Sequence, residues 1–150
     1  LSFLQSIPIA SQQTLTIADR TGNIVVVECN CEEIEIIRPN KDGNFIVATN
    51  DFNSNKMKHY NNYEIDTWKA EERYFVAYNT LKNLKDNYSF DLIRDILSGK
   101  YGFMCQYDRK NDADTVWSVI YDIRNNAIYR VEGNPKRKKF KLDTRLKLKS

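Results

Sequence analysis

The chain has 150 residues, of which 41% are hydrophobic and 29% are charged, and its formal net charge is +3. This length allows one domain with a sizeable core, and the composition is ordinary for a soluble globular protein. No apolar run is long enough for a transmembrane helix. The first eight residues lack the basic flank and the long apolar core of a signal peptide.

The positive charge is concentrated near the end of the chain. Residues 136–149 hold eight Lys or Arg and one acid, whereas the rest of the chain holds 15 Lys or Arg against 19 acids. A basic tail of this kind can bind nucleic acid or anionic lipid. Apolar residues alternate within it, which favours a solvated strand or tail over a binding role. These residues are Phe140, Leu142, Leu146 and Leu148.

The three cysteines are the first candidates for metal binding or nucleophilic chemistry. An odd count without a secretory signal argues for free thiols in a reducing compartment, and so for a cytoplasmic protein. Cys29 and Cys31 are too close together for the usual zinc spacing. Carboxylates near them would raise the pKa of either thiol, which favours a structural role. The flanking acids are Glu28, Glu32 and Glu33.

The remaining candidates of this kind are weaker. Cys105 lies in a predicted apolar strand and is expected in the core. His59, the only histidine, lies in a polar loop and is expected at the surface rather than as a general base. The sequence therefore predicts no metal site and no cofactor.

Short strands dominate the first third of the chain. Residues 1–7 have the apolar spacing of the last turns of a helix that begins upstream, and Pro8 stops it. Four strands separated by turns are then predicted as an antiparallel meander, at 11–18, 24–29, 33–37 and 45–48. In the first strand Leu15 and Ile17 face one way and the threonines at 14 and 16 face the other, so one face is buried.

The middle of the chain predicts a loop and two helices. Residues 51–66 are polar and rich in Asn and Tyr, which is typical of an irregular loop, and a loop of this length is often functional. A helix is predicted over 67–85, with Thr67 as its cap. Its apolar stripe consists of Ala70, Tyr74, Ala77, Tyr78, Leu81 and Leu84. A second helix begins at Ser89 and ends at Gly99.

The last third returns to strands, predicted at 101–107, 115–123 and 127–132. Trp117 and Tyr121 share one face of the second of these strands, and together with Tyr129 they fit a core better than a platform for stacking bases. Strands, then two helices, then strands indicate an α+β fold with antiparallel pairing. No internal domain boundary is evident, so the sequence predicts one domain.

Asn50 and Arg73 are the candidate functional residues. Asn50 follows the apolar run 45–48, and its amide can donate to a developing oxyanion if the scaffold holds it rigidly. A turn-forming Asn is an equal alternative. Arg73 follows two glutamates in the first turns of its helix, where an ordinary ion pair is the alternative. A guanidinium facing inward could instead fix a catalytic group by its planar fork of donors.

The order of several short motifs resembles one enzyme family. The motifs are Leu15-Thr16-Ile17-Ala18-Asp19-x-x-Gly22-Asn23, Val27-Glu28, Val47-Ala48-Thr49-Asn50-Asp51-Phe52, Glu72-Arg73-Tyr74 and Thr115-x-Trp117-Ser118-Val119-Ile120-Tyr121-Asp122. Together they resemble the acyl-coenzyme A:6-aminopenicillanic acid acyltransferase-like branch (peptidase family C45) of the N-terminal nucleophile (Ntn) hydrolases, which is related to the choloylglycine hydrolases and penicillin V acylases. The similarity covers essentially the whole chain but only the C-terminal half of such a protein.

The resemblance implies an αββα sandwich of two antiparallel sheets. It also implies a Cys nucleophile, exposed by autoproteolysis, that attacks a linear amide C–N bond of a small acyl-amide substrate. The Thr-Asn motif implies an oxyanion-hole role for Asn50, and the Arg-aromatic pair implies that Arg73 lies near the nucleophile. The nucleophile itself is expected upstream of Leu1, in a segment or chain that this one requires for activity.

Two other interpretations stay open. One is a non-catalytic protein of the same fold, and the other is a binding module that uses the basic tail. The sequence leaves the acyl substrate, the choice between hydrolysis and acyl transfer, and a homo-oligomeric state undetermined.

Overall fold

The computed structural model describes residues 2–39, 43–64, 68–84, 88–105, 107–108 and 113–145. The chain forms two compact units, Leu1–Tyr78 and Asn79–Ser150, and whether they make one domain stays a prediction. The predicted turn residues 40–42, the Thr67 cap and the tail leucines 146 and 148 lie outside the described residues. No helix in the described part is long and apolar enough to cross a membrane.

The first unit is built on a three-stranded antiparallel sheet. A short helix, α1 (Ser2–Ser6), precedes strands β1 (Gln13–Ala18), β2 (Ile24–Cys29) and β3 (Ile34–Ile37), with β2 in the centre. A single turn of 3₁₀ helix follows at Lys58–Tyr60. The helix before Pro8 and the first three predicted strands are therefore confirmed.

The two faces of β2 have different partners. Val25, Val27 and Cys29 are buried on one face, and half-buried apolar residues pack against them. These are Leu4, Ile9, Leu15, Ile34 and Ile36. Glu28 lies on the other face, opposite Thr14 of β1, because successive side chains alternate along a strand. The prediction that one face of β1 is buried is confirmed for Leu15, which packs on this core, but not for Ile17, which is 42% exposed.

The predicted strand at 45–48 is wrong. Residues 43–50, all of which the structure describes, form no strand and are half-buried or exposed. The ring of Phe45 packs edge-on against Tyr78, with their centroids 5.5 Å apart. A short apolar run cannot by itself distinguish a buried strand from an irregular segment packed on a helix, and here packing on the helix replaces pairing in the sheet.

Helix α2 spans Ala70–Asn83, and the division between the two units falls within it. Most of the predicted stripe is buried or half-buried, but Leu84 lies beyond the helix and is 39% exposed. Trp68 and Lys69, directly before the helix, both have left-handed backbone, with φ of 62° and 55°. Such a conformation costs about 1–2 kcal/mol for a residue other than glycine.

In its described residues, the second unit contains helix α3 (Phe90–Leu97) and five strands. The strands are β4 (Tyr107–Asp108), β5 (Ala113–Asp114), β6 (Trp117–Asp122), β7 (Ala127–Glu132) and β8 (Lys141–Leu142). β4 pairs with β5, and β6, β7 and β8 form a second three-stranded antiparallel sheet. The predicted Ser89 cap of α3 is confirmed, since its Oγ accepts a hydrogen bond from the Leu92 N–H. Helices with antiparallel sheets confirm the α+β class, while the αββα sandwich stays a prediction.

The predicted strand at 101–107 is largely wrong. Residues 101–105 are bends and irregular chain, residue 106 lies outside the described residues, and Tyr107 is paired. Gly99 and Gly102 have φ of 74° and 147°, and positive φ is incompatible with a regular strand. Cys105 is half-buried rather than in a strand, and its Sγ donates to the carbonyl of Leu97 at 2.8 Å.

The expectation that Trp117 and Tyr121 lie in a core is also wrong. In β6 these residues are 51% and 56% exposed, whereas Ile120 on the opposite face is 9% exposed. The ring of Phe90 at the start of α3 lies 4.5 Å from that of Tyr129, which pairs with Ile120 across the sheet. The helix thus covers the Ile120 face, and the alternation of apolar residues did not reveal which face it would cover.

Two cations of the basic segment are paired. Arg137 bonds Asp114, and Arg145 donates to both carboxylate oxygens of Asp143. These charge-assisted bonds lower the pKa of Asp143 to about 2. The carboxylate of Asp143 is therefore stabilised in the folded state, because its ordinary pKa is about 3.9.

The Asp143 pair predicts a specific pH dependence of stability. A depressed pKa contributes stability that is complete above about pH 4 and is lost as the pH falls toward 2. Asp143→Asn should therefore lower the free energy of unfolding at pH 6, and the difference from the parent should shrink between pH 4 and pH 2. Urea unfolding at a series of pH values measures this, and Arg145→Leu should give the same loss. Parallel curves for parent and variants from pH 2 to 6 would contradict it.

Candidate functional site

A polar cleft of about 450 Å³ lies in the first unit. It is lined by β1, by the segment that follows the apolar run 45–48, and by the start of α2. The lining residues are Gln12, Gln13, Thr14, Thr16, Ala48, Thr49, Asn50, Phe52, Asn61 and Arg73. Both candidate residues, Asn50 and Arg73, therefore line the same cleft.

A hydrogen bond joins the two candidate residues directly. One terminal nitrogen of Arg73 donates to the Oδ1 of Asn50 at 2.6 Å, across 23 positions of sequence. The Nε of the same guanidinium donates to the backbone carbonyl of Trp68 at 3.0 Å. Trp68 and Lys69 have left-handed backbone directly before the helix. The two hydrogen bonds together hold Arg73 at two of its nitrogens.

The Arg73 bond fixes the orientation of the Asn50 amide. A guanidinium has donors only, so the amide must present its oxygen to it. The Nδ2 group then lies at the other end of the amide, and in the part of the chain that the structure describes no acceptor bonds it. Asn50 is exposed in the cleft. Two N–H donors of fixed direction are thus presented to whatever binds there.

Arg73 is a partly desolvated cation. Burial lowers its pKa, and the negative charge of Asp51 opposes that shift. Arginine is nevertheless protonated at any physiological pH. A cation with less water around it interacts more strongly with nearby charge, so the cleft favours a negative charge over a positive one.

Glu28 of β2 stabilises the loop that follows Asn50. The sequence patterns predicted no role for it in the site. Its side chain is fully buried. Its two oxygens accept hydrogen bonds from the backbone N–H groups of Asn53 at 2.6 Å and Ser54 at 3.1 Å. An acid in the middle of a β-branched apolar strand is the signal that could have revealed it, because a buried carboxylate needs dedicated partners.

A second pair of bonds fastens the same loop. The N–H of Phe52 donates to Oδ1 of Asn61, and Nδ2 of Asn61 donates back to the carbonyl of Phe52, both at 2.9 Å. Phe52 is 5% exposed. The loop that carries Asn50 is therefore tied both to the sheet and to the polar segment that follows.

No thiol or imidazole lines the cleft among the described residues. Cys29 faces the apolar core, and burial, rather than the neighbouring glutamates, raises the pKa of its thiol. Cys31 and His59 are exposed, and Cys105 belongs to the second unit. His59 rests against the ring of Tyr60, with centroids 3.9 Å apart. Within the same residues no cluster of metal-ligating side chains occurs.

The cleft can therefore stabilise an anion, and its described lining includes no thiol, imidazole or carboxylate. Its polar side chains are amides, hydroxyls and one guanidinium. None of these groups takes up protons readily near neutral pH. The chemistry it supports is the binding of a substrate oxygen that gains negative charge.

Comparison with known proteins gives one match. The family model described as "Acyl-coenzyme A:6-aminopenicillanic acid acyl-transferase" matches residues 1–137. Comparisons with curated proteins and with solved structures give no significant match. The matched region includes the whole cleft, whereas the segment from Lys138 onward lies outside it.

The hydrogen bond between Arg73 and Asn50 can be tested without measuring catalysis. In Arg73→Met the amide of Asn50 loses the donor that orients it, so the side-chain ¹H–¹⁵N resonances of Asn50 should move and the two orientations should interconvert. Heteronuclear NMR of ¹⁵N-labelled protein measures this. Arg94→Met, which removes an arginine of α3 paired with Asp91 and Asp95, is the control. Unchanged Asn50 resonances in Arg73→Met would show that the bond is absent in solution.

Proposed function

The chain belongs to the acyl-coenzyme A:6-aminopenicillanic acid acyl-transferase family, an acyltransferase family, and from this we propose that it supplies the oxyanion-stabilising half of an Ntn-type amidase or acyltransferase. The proposed substrate is a small molecule with a linear amide C–N bond. The proposed nucleophile is a Cys thiolate from a segment or chain outside these 150 residues. An αββα sandwich and a cytoplasmic location are parts of the same proposal.

The orientation of Asn50 is the observation that carries this proposal. Its Oδ1 is occupied by Arg73 at 2.6 Å, so its N–H donors face the cleft without an acceptor among the described residues. Preorganised donors of this kind contribute about 3 kcal/mol when an acyl carbonyl gains negative charge. Arg73 acts as the positioning residue, and its positive charge favours the same anion.

The proposed reaction proceeds through a thioester. The thiolate attacks the amide carbonyl carbon, a C–S bond forms, and the carbonyl oxygen becomes an oxyanion that Asn50 Nδ2 stabilises. The oxyanion then collapses, the C–N bond breaks, and the amine leaves with a proton from the ammonium of the nucleophilic residue. Water completes hydrolysis and releases the acid, whereas a second amine completes acyl transfer; either step regenerates the thiol.

The absence of a thiol from the described cleft fits this division of labour. Cys29 is directed away from the cleft by the alternation of β2, since it follows Glu28 on the opposite face. The two roles, attack and oxyanion stabilisation, would thus come from different segments.

Asn50→Ala tests the proposal in the complete gene product. Turnover of a series of N-acyl p-nitroanilides should fall by about 10²–10³-fold in kcat. KM should change little, because the donor acts mainly on the transition state. Mass spectrometry of the same preparations should identify a Cys as the mature N-terminus and an acyl adduct on it in the parent protein.

The matched control for Asn50 is Asn55→Ala, which removes an exposed asparagine of the same loop that does not line the cleft. It should leave kcat unchanged, and circular dichroism should show that both variants are folded. Equal turnover in parent and Asn50→Ala would exclude Asn50 as the donor. No N-terminal Cys and no acyl adduct in the parent would favour a non-catalytic protein of this fold.

A second candidate function rests on a cationic cavity in the second unit. This cavity of about 690 Å³ is lined by Lys138, Lys139 and Lys141 and by two arginines that are paired with acids of the same lining. No acid pairs with these lysines within the described ranges, and the guanidinium of Arg130 lies 5.4 Å from the centroid of the exposed Trp117 ring. Cations beside an exposed aromatic ring are typical of single-stranded nucleic-acid sites, which favours a binding module as the alternative.

The alternative predicts salt-dependent binding of a labelled single-stranded oligonucleotide. Replacing the three cavity lysines by Ala should reduce the affinity at least tenfold in 50 mM salt and should flatten its dependence on salt concentration. Fluorescence anisotropy measures this. The control replaces three lysines that do not line this cavity, Lys58, Lys69 and Lys82. Equal losses in both triple variants would indicate unspecific attraction, and no binding by the parent would exclude the alternative.

A further inference from the structure

The fully buried carboxylate of Glu28 is placed at the centre of the first sheet. Its residue is 0% exposed, and the two residues opposite it in the ladder are Thr14 and Glu35. Burying a carboxylate is unfavourable unless hydrogen bonds replace its water. Here the replacement comes from two successive backbone N–H groups, those of Asn53 and Ser54.

Asn53, whose backbone N–H donates to Glu28, also bonds the residues on both sides of Asn50. Its Nδ2 donates to the carbonyl of Asp51 at 2.7 Å and lies 3.4 Å from the hydroxyl oxygen of Thr49. Arg73 holds the side-chain amide of Asn50, and Asn53 bonds the two residues that flank it. The segment that carries Asn50 is therefore linked through Asn53 to Glu28.

We propose that Glu28 is a positioning residue that acts through Asn53 to set the place of the oxyanion donor Asn50 in the cleft. This inference rests on the proposed function. Two oxygens are needed for the role, because each accepts from a different N–H. A change at Glu28 would shift Asn53 and hence Asn50, although Glu28 does not touch the site. A displacement of about 1 Å at a catalytic group can cost about 10²-fold in rate.

Glu28→Gln is the sharpest change, since it keeps the size of the side chain but replaces one acceptor oxygen by an NH₂ group that faces a backbone N–H. In the complete, active gene product it should lower kcat on the N-acyl p-nitroanilides at least tenfold and leave KM within about threefold. Glu35→Gln is the matched control, because Glu35 is the opposite residue of the neighbouring strand. It should leave both constants unchanged.

A double-mutant cycle separates positioning from general damage. If Glu28 acts through Asn50, Glu28→Gln should have little further effect on kcat in the Asn50→Ala background, because coupled residues are not additive. Asn53→Ala keeps the backbone N–H but removes the side-chain bonds to Thr49 and Asp51, so it should lower kcat in the same non-additive way. This second variant decides the question if Glu28→Gln does not fold.

The outcomes distinguish the two proposals. If Asn50→Ala leaves turnover unchanged, the proposed function fails whatever Glu28 does. If Asn50→Ala lowers kcat but Glu28→Gln or Asn53→Ala leaves it unchanged, the positioning role is overturned. Equal losses in the parent and Asn50→Ala backgrounds would also overturn it, since Glu28 would then serve only the stability of the fold.

Discussion

The hydrogen bond from Arg73 to Oδ1 of Asn50 determines what the cleft offers to a ligand. An asparagine side chain carries an acceptor at one end and donors at the other, and free rotation would present either. The guanidinium accepts nothing, so the oxygen is engaged and the donors remain. A single contact of 2.6 Å thus turns an ambivalent amide into a site for negative charge, as the proposed acyl chemistry requires.

Two features beside the cleft have unfavourable local free energies. Trp68 and Lys69 adopt left-handed backbone before α2, and Glu28 loses all contact with water in β2. Each would destabilise the fold in isolation. Both features form hydrogen bonds at or beside the cleft. The Trp68 carbonyl accepts from Arg73, and Glu28 accepts from the N–H of Asn53. Strained or buried polar groups concentrated at one place are typical of a functional site rather than of a scaffold.

Sequence patterns predicted those parts of the fold where local preference and packing agree. The β-branched run 24–29 and the strand 127–132 were predicted to the residue, since their turns and alternation are unambiguous. The run 45–48 was misassigned because apolar content alone does not specify pairing. Residue spacing did not indicate that Asn50 and Arg73 are in contact. The family resemblance suggested a role for each residue, and only the fold shows the hydrogen bond between them. An acid in an apolar strand signals that Glu28 needs partners, but the sequence does not identify them, because they are the backbone N–H groups of Asn53 and Ser54.

The contacts that hold Asn50 all lie within residues 28–73. The bond from Asn53 to Glu28 closes a loop of 25 positions, and that from Arg73 to Asn50 closes one of 23. The entropy of closing a loop rises only slowly with its length, by about 0.6 kcal/mol per doubling. The oxyanion-binding side of the proposed site is therefore encoded in one contiguous stretch, residues 28–73. In the proposed enzyme, this stretch would set the charge preference of the pocket, and a different segment would supply the nucleophile.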